Sequence, residues 1–171
     1  MGRDKSLIQY HDRNQRHHTF NLLSKYCRKV FISCNNDQAK TIDLPHIEDN
    51  FDCHGPLSGI ITALDRFKNK ALLVIACDMP KVDDTVIQNL LEQRDHNRLA
   101  TCFYHDYPEP LCTIWEPQVL APLKEFIHSG NIRPTHFLIS HKHNLSCIEP
   151  SEEIVFKLAN INTPGQMPDN D

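Results

Sequence analysis

The chain has 171 residues, of which 40% are apolar and 23% charged, and its formal net charge is −4. This length predicts a single domain with a real core, and the slight acidic excess argues against a general nucleic-acid binder, which normally has an excess of Lys and Arg. Glycine is scarce, because five in 171 residues is about 3% against a typical usage near 7%.

No segment of the sequence predicts a membrane span or a secretion signal. The longest apolar run, residues 71–77, is far shorter than the ~20 residues that cross a bilayer, and the charged N-terminus is not followed by an apolar signal core. The seven cysteines form no CxxC pair, which predicts reduced thiols and a cytoplasmic protein. The eleven histidines lack the ligand spacing of a zinc site and are predicted to lie at the surface.

The predicted elements alternate between helices and strands from the start of the chain. Apolar residues at helical spacing predict an amphipathic helix over residues 15–27, and the β-branched and aromatic residues of 29–34 predict a buried strand that ends in a polar turn. A second helix is predicted over 55–67. Residues 71–77 are apolar throughout, which is typical of a central strand covered on both faces.

The same alternation continues in the second half. Asp83 and Asp84 are candidate N-caps for a further helix. Strands are predicted over 99–104 and 111–115, with residues 107–110 breaking the chain between them. A helix over 119–128 closes at Ser129 and Gly130. This order predicts a three-layer α/β domain with a largely parallel sheet.

Polar side chains follow the predicted strands where an open α/β sheet binds its ligands, beyond the carboxyl ends. They are Ser33 and Asn35 after the first strand, Asp49 ahead of Gly55, and Asp78 after the apolar run. Asp78 has two interpretations that carry equal weight: it is a hard oxygen ligand for Mg²⁺, or it caps a turn before a proline.

Two glycines open the predicted helix at residue 55. Gly55 and Gly59 allow a ligand to approach the backbone at a helix N-terminus, or they serve a loop and a helix–sheet contact. By itself, Lys5 is an ordinary solvated lysine.

Five motifs occur in order along the chain: MGRDK at 1–5, IED at 47–49, GPLSGI at 55–60, CDMP at 77–80 and NINTP at 160–164. Together they resemble the molybdenum cofactor guanylyltransferases, enzymes that attach GMP to molybdopterin, and GPLSGI favours that family over its cytidylyl relative. The resemblance implies a three-layer, Rossmann-like nucleotidyltransferase fold with a mostly parallel sheet. It implies one domain over residues 1–164, followed by a disordered tail at 165–171.

The resemblance also implies roles for individual residues. Lys5 and Asp78 would be catalytic, with Lys5 neutralising phosphate oxygens and Asp78 binding Mg²⁺. On the molybdopterin side it places Arg133, Asn160 and Asn162, of which Arg133 would pair with a phosphate. The implied nucleotide-binding residues are Lys5, Asn35, Asp49, Gly55, Pro56, Leu57, Gly59 and Asp78.

The implied reaction is nucleotidyl transfer. A phosphate oxygen of molybdopterin would attack the α-phosphorus of GTP, and pyrophosphate would leave. Because the nucleophile is already anionic, the reaction needs alignment and charge neutralisation by Mg²⁺ and Lys5 rather than a general base. The implied partners are GTP, molybdenum-molybdopterin and other cofactor-biosynthesis proteins or acceptor molybdoenzymes, with no nucleic acid and no membrane.

The chain departs from the family pattern at its start. The family begins with a central strand and a glycine-rich loop that holds phosphates, and this sequence begins inside the motif that closes that loop. We expect either a start codon assigned one motif too late or a genuinely shortened protein, and the DNA upstream of Met1 distinguishes the two. The alternatives are therefore a non-catalytic nucleotide-binding or partner protein of this fold, or a related cytidylyl or sugar-phosphate nucleotidyltransferase.

Overall fold

The computed structural model describes residues 14–49 and 55–160. Within these residues, helices and strands alternate through most of the chain. In order they are α1 (Gln15–Ser24), β1 (Ile32–Cys34), α2 (Asn36–Ala39), β2 (His46–Glu48), α3 (Pro56–Arg66), β3 (Leu72–Ile75), α4 (Asp84–Glu92), β4 (Ala100–Tyr104), β5 (Pro108–Trp115), α5 (Leu120–His128), α6 (Pro134–Ser140), β6 (Leu145–Ile148) and α7 (Glu152–Leu158).

The strands form two sheets. β1 and β2 pair in parallel, and a four-stranded sheet has the order β3-β5-β4-β6. In the larger sheet β4 and β6 are parallel, whereas β5 is antiparallel to both β3 and β4. The larger sheet is therefore mixed, with one parallel and two antiparallel pairings, whereas the sequence predicts a largely parallel sheet. The reason is local, since only three residues separate β4 from β5 and such a short loop joins antiparallel neighbours.

The prediction that residues 71–77 form a central strand buried on both faces is wrong in its second part. The strand exists as β3, but all four of its residues are only partly buried. It lies at an edge of the four-stranded sheet, and among the described residues no strand pairs with its second edge. The apolar composition predicted the strand correctly, whereas its burial depends on neighbours that the composition does not reveal.

The core consists of two clusters, one on each face of the larger sheet. Apolar residues of α1, α4 and α7 pack on one face, and those of α3, α5 and α6 pack on the other. Successive side chains of a strand point to opposite faces of the sheet. Phe103 accordingly belongs to the first cluster and its neighbour Cys102 to the second. This arrangement confirms the three-layer α/β fold.

The ends of several helices follow the sequence signals. Asp83 caps α4, because its carboxylate accepts a hydrogen bond from the Val86 N–H at 3.3 Å. Gly130 follows α5 with a φ of +88°, a conformation that favours glycine. The helix predicted over 15–27 ends earlier, at Ser24.

The predicted chain break at residues 107–110 is wrong, because β5 already begins at Pro108. Proline is compatible with the start of a strand or with a bulge, and the pairing of β4 with β5 shifts register between Cys102 and Tyr104. The two prolines therefore lie where the ladder is irregular. None of the described helices combines the length and the apolar character that crossing a membrane requires.

Candidate functional site

The path of the chain brings two of the predicted site segments to one side of the domain. Helix α3 contacts β1, β2 and β3, and β3 follows it after a short turn. The 11 residues of α3 span about 16 Å, and the four residues of β3 run back over about 13 Å. The turn that holds Asp78 follows β3 and therefore lies toward the end of the domain at which α3 begins.

Ser33 and Asp49 form a hydrogen-bonded pair at the carboxyl ends of β1 and β2. The Asp49 N–H donates to the Cys34 carbonyl at 2.9 Å, and the Ser33 hydroxyl donates to Asp49 Oδ1 at 2.7 Å. Burial raises the pKa of the Asp49 carboxyl, and the hydrogen bond from Ser33 opposes that shift. The structure thus confines Asp49 in a partly desolvated position, where an N–H donor of a ligand would be an effective partner.

Gly59 lies directly against this pair. A Cβ atom added to Gly59 would lie 2.1 Å from Ser33 Oγ and 3.2 Å from Asp49 Oδ1. Gly59 therefore packs α3 closely against the sheet, where a side chain would not fit. The atoms that it contacts belong to Ser33 and Asp49, so the same contact also shapes the candidate site.

The polar turn predicted around Asn35 is a capped helix. Asn35 Oδ1 accepts a hydrogen bond from the Gln38 N–H at 2.9 Å, and Gln38 Oε1 accepts one from the Asn35 N–H at 3.1 Å. This reciprocal capping box fixes the side chain. It leaves the amide NH₂ of Asn35, which is exposed, as the group that can donate to a ligand.

The N-terminus of α3 is open to a ligand at its backbone. Gly55 has a φ of +94°, which side-chain-bearing residues rarely adopt, and no side chain caps the helix. Gly55 and Pro56 are exposed, whereas Leu57 is fully buried in the core. Leu57, one of the predicted nucleotide-binding residues, can therefore offer only its backbone.

Asp78 lies in the turn directly after β3, close enough to Glu109 on β5 for its charge to act on that carboxyl. The β3–β5 ladder extends one residue past Ile75, because the Ala76 N–H donates to the Leu111 carbonyl at 2.8 Å. The turn follows, and the Met79 N–H donates to the Ala76 carbonyl across it at 3.4 Å. Burial raises the pKa of Glu109. The Leu111 N–H lowers it, and the charge of Asp78 raises it further. No ion pair within the described residues neutralises either carboxylate.

The sequence did not single out Glu109 as a site residue. It stands between two prolines, in a stretch interpreted as a break between strands. The signal that could have found it is the pairing itself, because an antiparallel strand that enters beside β3 brings its first residues to the carboxyl end of β3.

The other predicted site residues are more dispersed. Arg133 precedes α6 and is exposed, and its carbonyl accepts from the Phe137 N–H at 3.2 Å. Asn160 is exposed two residues after α7. No hydrogen bond within the described residues joins Arg133 or Asn160 to Asp49 or Asp78. Lys5 and Asn162 lie outside the described residues, as do residues 165–171.

The described residues hold no group of three or more His, Cys, Asp or Glu side chains that is arranged to bind a metal. Asp78 and Glu109 are two carboxylates. This count suits Mg²⁺, which is usually bound by one or two carboxylates together with substrate phosphates and water. The six cysteines in the described residues are free thiols.

The sequence matches the family described as the MobA-like NTP transferase domain over residues 1–144. A molybdenum cofactor biosynthesis bifunctional protein of Synechocystis is 32% identical over 170 residues, which cover 96% of this chain and 48% of that protein. The chain thus spans about half the length of that relative. A molybdenum cofactor guanylyltransferase of Shewanella sediminis is 26% identical over 170 residues, covering 96% of this chain and 85% of that protein.

The fold agrees with the sequence match. The crystal structure of molybdopterin-guanine dinucleotide biosynthesis protein A from Archaeoglobus fulgidus superposes with a TM-score of 0.77 at 22% identity, covering 96% of this chain and 87% of that one. The domain match spans well over half of the sequence. The chain belongs to the family of MobA-like NTP transferase domains, whose members have a nucleotidyltransferase fold.

Proposed function

We propose that this protein transfers GMP from GTP to molybdenum-molybdopterin, releasing pyrophosphate. The observation that carries the proposal is the half-buried Asp78 after β3, near Glu109 and without a counter-ion in the described residues. The names of the relatives from Synechocystis and Shewanella support the choice of substrate.

The proposed chemistry is a substitution at phosphorus. A terminal phosphate oxygen of molybdopterin forms a bond to the α-phosphorus of GTP, and the bond from that phosphorus to the bridging oxygen breaks. The electron pair leaves with pyrophosphate. The attacking oxygen carries a negative charge before the reaction, so no side chain has to remove a proton. The protein contributes alignment of the two phosphates and stabilisation of their charge.

Asp78 and Glu109 fit a magnesium ion. Both offer hard oxygen ligands, they lie at the same end of the paired strands β3 and β5, and the charge of Asp78 contributes to the raised pKa of Glu109. This pair therefore presents uncompensated negative charge that a cation would offset. When bound, Mg²⁺ would neutralise charge on the triphosphate and orient it. Lys5, placed here by the sequence resemblance, would act on the same oxygens.

Asp49, Gly55 and Gly59 would hold the guanine end of GTP. The Asp49 carboxylate can accept hydrogen bonds from the N1–H and the 2-amino group of guanine, and the Ser33 hydroxyl holds it in place. Cytosine lacks this pair of adjacent donors. Asp49 therefore supports GTP over CTP, which is also the distinction between the guanylyl and cytidylyl alternatives.

The test is turnover of the purified chain with Mg²⁺, molybdenum-molybdopterin and either GTP or CTP, measured as pyrophosphate release and as the dinucleotide product. We expect turnover with GTP, and we expect Asp78→Asn to reduce it by about 100-fold or more. Asp65→Asn is the matched control, since Asp65 is exposed and pairs with Lys124 on the surface. Turnover that prefers CTP, or full activity of Asp78→Asn, contradicts the proposal.

A further inference from the structure

Two cysteines lie side by side on neighbouring strands of the four-stranded sheet. Cys102 on β4 and Cys147 on β6 are register partners in the parallel pairing of these strands. Ala100 and Leu145, two residues earlier on each strand, are also partners, and both belong to the core cluster of α3, α5 and α6. Because side chains two residues apart point to the same face of a sheet, the two thiols share that face.

The spacing of this pair is close to that of a disulfide bond. Neighbouring strands lie about 4.7–4.9 Å apart, and the Cα atoms of disulfide-bonded cysteines lie about 4.4–6.8 Å apart. The Cβ atoms must approach to about 3.5–4.5 Å, which is closer than the strand spacing. Among the described residues β6 pairs only with β4, so it can move toward β4 without displacing another strand. The bond would be strained, and a strained disulfide is readily reduced.

The two thiols differ in exposure, which gives them different roles. Cys147 is exposed, whereas Cys102 is fully buried. Burial raises the pKa of both thiols. For Cys147 the charge of Lys142 and a hydrogen bond from the Cys102 S–H oppose this rise in pKa. A cation–π contact holds Lys142 in place, with its Nζ 4.1 Å from the centre of the Tyr104 ring. Cys147 is therefore the thiol that a small reagent meets first.

We propose that Cys102 and Cys147 form a modification site, at which a small disulfide such as oxidised glutathione converts the two thiols into an intramolecular disulfide. The Cys147 thiolate attacks one sulfur of the reagent, its S–S bond breaks, and one glutathione leaves as a thiolate that takes up a proton. Cys102 then loses its proton and attacks the Cys147 sulfur, and the second glutathione leaves in the same way. Two protein thiols are thus oxidised, and one glutathione disulfide is reduced to two thiols.

The fold specifies the partner of each thiol in this pair. Within the described strands, no other cysteine is a register partner of Cys102 or Cys147. Cys112 on β5 is fully buried like Cys102, but it belongs to the core cluster on the opposite face of the sheet. Its substitution is therefore the matched control for substitution of Cys102.

The test incubates the reduced full chain with oxidised glutathione, blocks the remaining thiols with N-ethylmaleimide at timed intervals, and maps the peptides without reduction. We expect glutathione on Cys147 first, and then a link between Cys102 and Cys147 that dithiothreitol breaks. Because burial raises the pKa of Cys102, the second step should be the slower one. Cys102→Ala should stop at the glutathione adduct, Cys147→Ser should form neither adduct nor link, and Cys112→Ala should behave as the parent protein does.

Lys142→Gln should slow formation of the adduct by about two- to five-fold, whereas Lys40→Gln, which removes an exposed charge beside Asp37, should leave the rate unchanged. The peptide map of the parent protein tests the pairing without any substitution, so the proposal stays falsifiable if Cys102→Ala fails to fold. A link between two chains or to a different cysteine overturns it. So does a Cys147 that stays unmodified, or that keeps its glutathione throughout.

Discussion

Replacement of Gly59 by alanine tests the packing on which the nucleotide side of the site depends. The new Cβ would meet Ser33 Oγ at 2.1 Å, well inside the 3.4 Å at which ordinary contact begins. The serine side chain can relieve the overlap by rotating, but its hydroxyl then leaves Asp49. The perturbation therefore reaches the Asp49 carboxylate through the Ser33 hydroxyl.

The magnitude follows from two opposing effects. Loss of the hydrogen bond from Ser33 to the Asp49 carboxylate costs about 1.5–3 kcal/mol, whereas alanine in place of glycine inside a helix returns about 1 kcal/mol. The net loss of about 0.5–2 kcal/mol lowers the Tm by about 1–8 °C in a domain of this size. Because Asp49 loses its orienting partner, the stabilisation by Mg²⁺-GTP should fall as well.

Thermal unfolding of Gly59→Ala, Ser33→Ala and the double variant measures the coupling between the two positions. In the double variant the nearest Ser33 atom is Cβ, at 3.2 Å from the new methyl group, so most of the steric cost should disappear. We expect a coupling of about 1 kcal/mol. If Gly59→Ala is as stable as the parent protein and the two substitutions are additive, the close approach of α3 to Ser33 is refuted.

Three further substitutions or treatments test other parts of the structure. Glu116 is 3% exposed in its side chain and bonds to Arg94, so Arg94→Ala should lower the stability by about 3 kcal/mol, measured by urea unfolding. The raised pKa of Asp49 means that the folded state holds this proton more tightly, so the stability of the ligand-free protein should fall as the pH rises through the folded pKa. Asn in place of Asp49 should abolish that dependence and weaken GTP binding. Iodoacetamide should modify the exposed Cys147 in the folded protein and spare Cys112. Cys112 is fully buried, and burial raises the pKa of its thiol far above the usual value. Peptide mass mapping identifies which of the two cysteines is modified.

The sequence predicted the elements whose signals are local. Helices α3 and α4 have apolar residues at helical spacing and recognisable N-termini, and both were predicted near their observed positions. Strands β2 and β6 were not predicted. They have only three and four residues, too few for a periodic pattern to separate them from loops. They exist because a neighbouring strand pairs with them, which is a tertiary effect.

The residues of the candidate site likewise fall into those with a local sequence signal and those that only tertiary packing brings into place. Asp78 was found because a carboxylate directly after an apolar strand has a predictable position at the edge of a sheet. Glu109 was missed because its position depends on β5 entering antiparallel beside β3, and the flanking prolines argued against a strand. The close contact of Gly59 with Ser33 spans 26 residues of sequence, and only the packing of α3 against β1 brings them together.

The three carboxylates of the site, Asp49, Asp78 and Glu109, have no salt-bridge partner within the described residues, and burial raises the pKa of Asp49 and Glu109. Partial burial of a carboxylate without a cation is unfavourable for the folded protein alone, so a fold selected only for stability would replace these side chains. A divalent cation at Asp78 and Glu109, together with the paired N–H donors of guanine at Asp49, would satisfy all three carboxylates. The arrangement of these side chains therefore favours a metal-bound guanine nucleotide over either ligand alone.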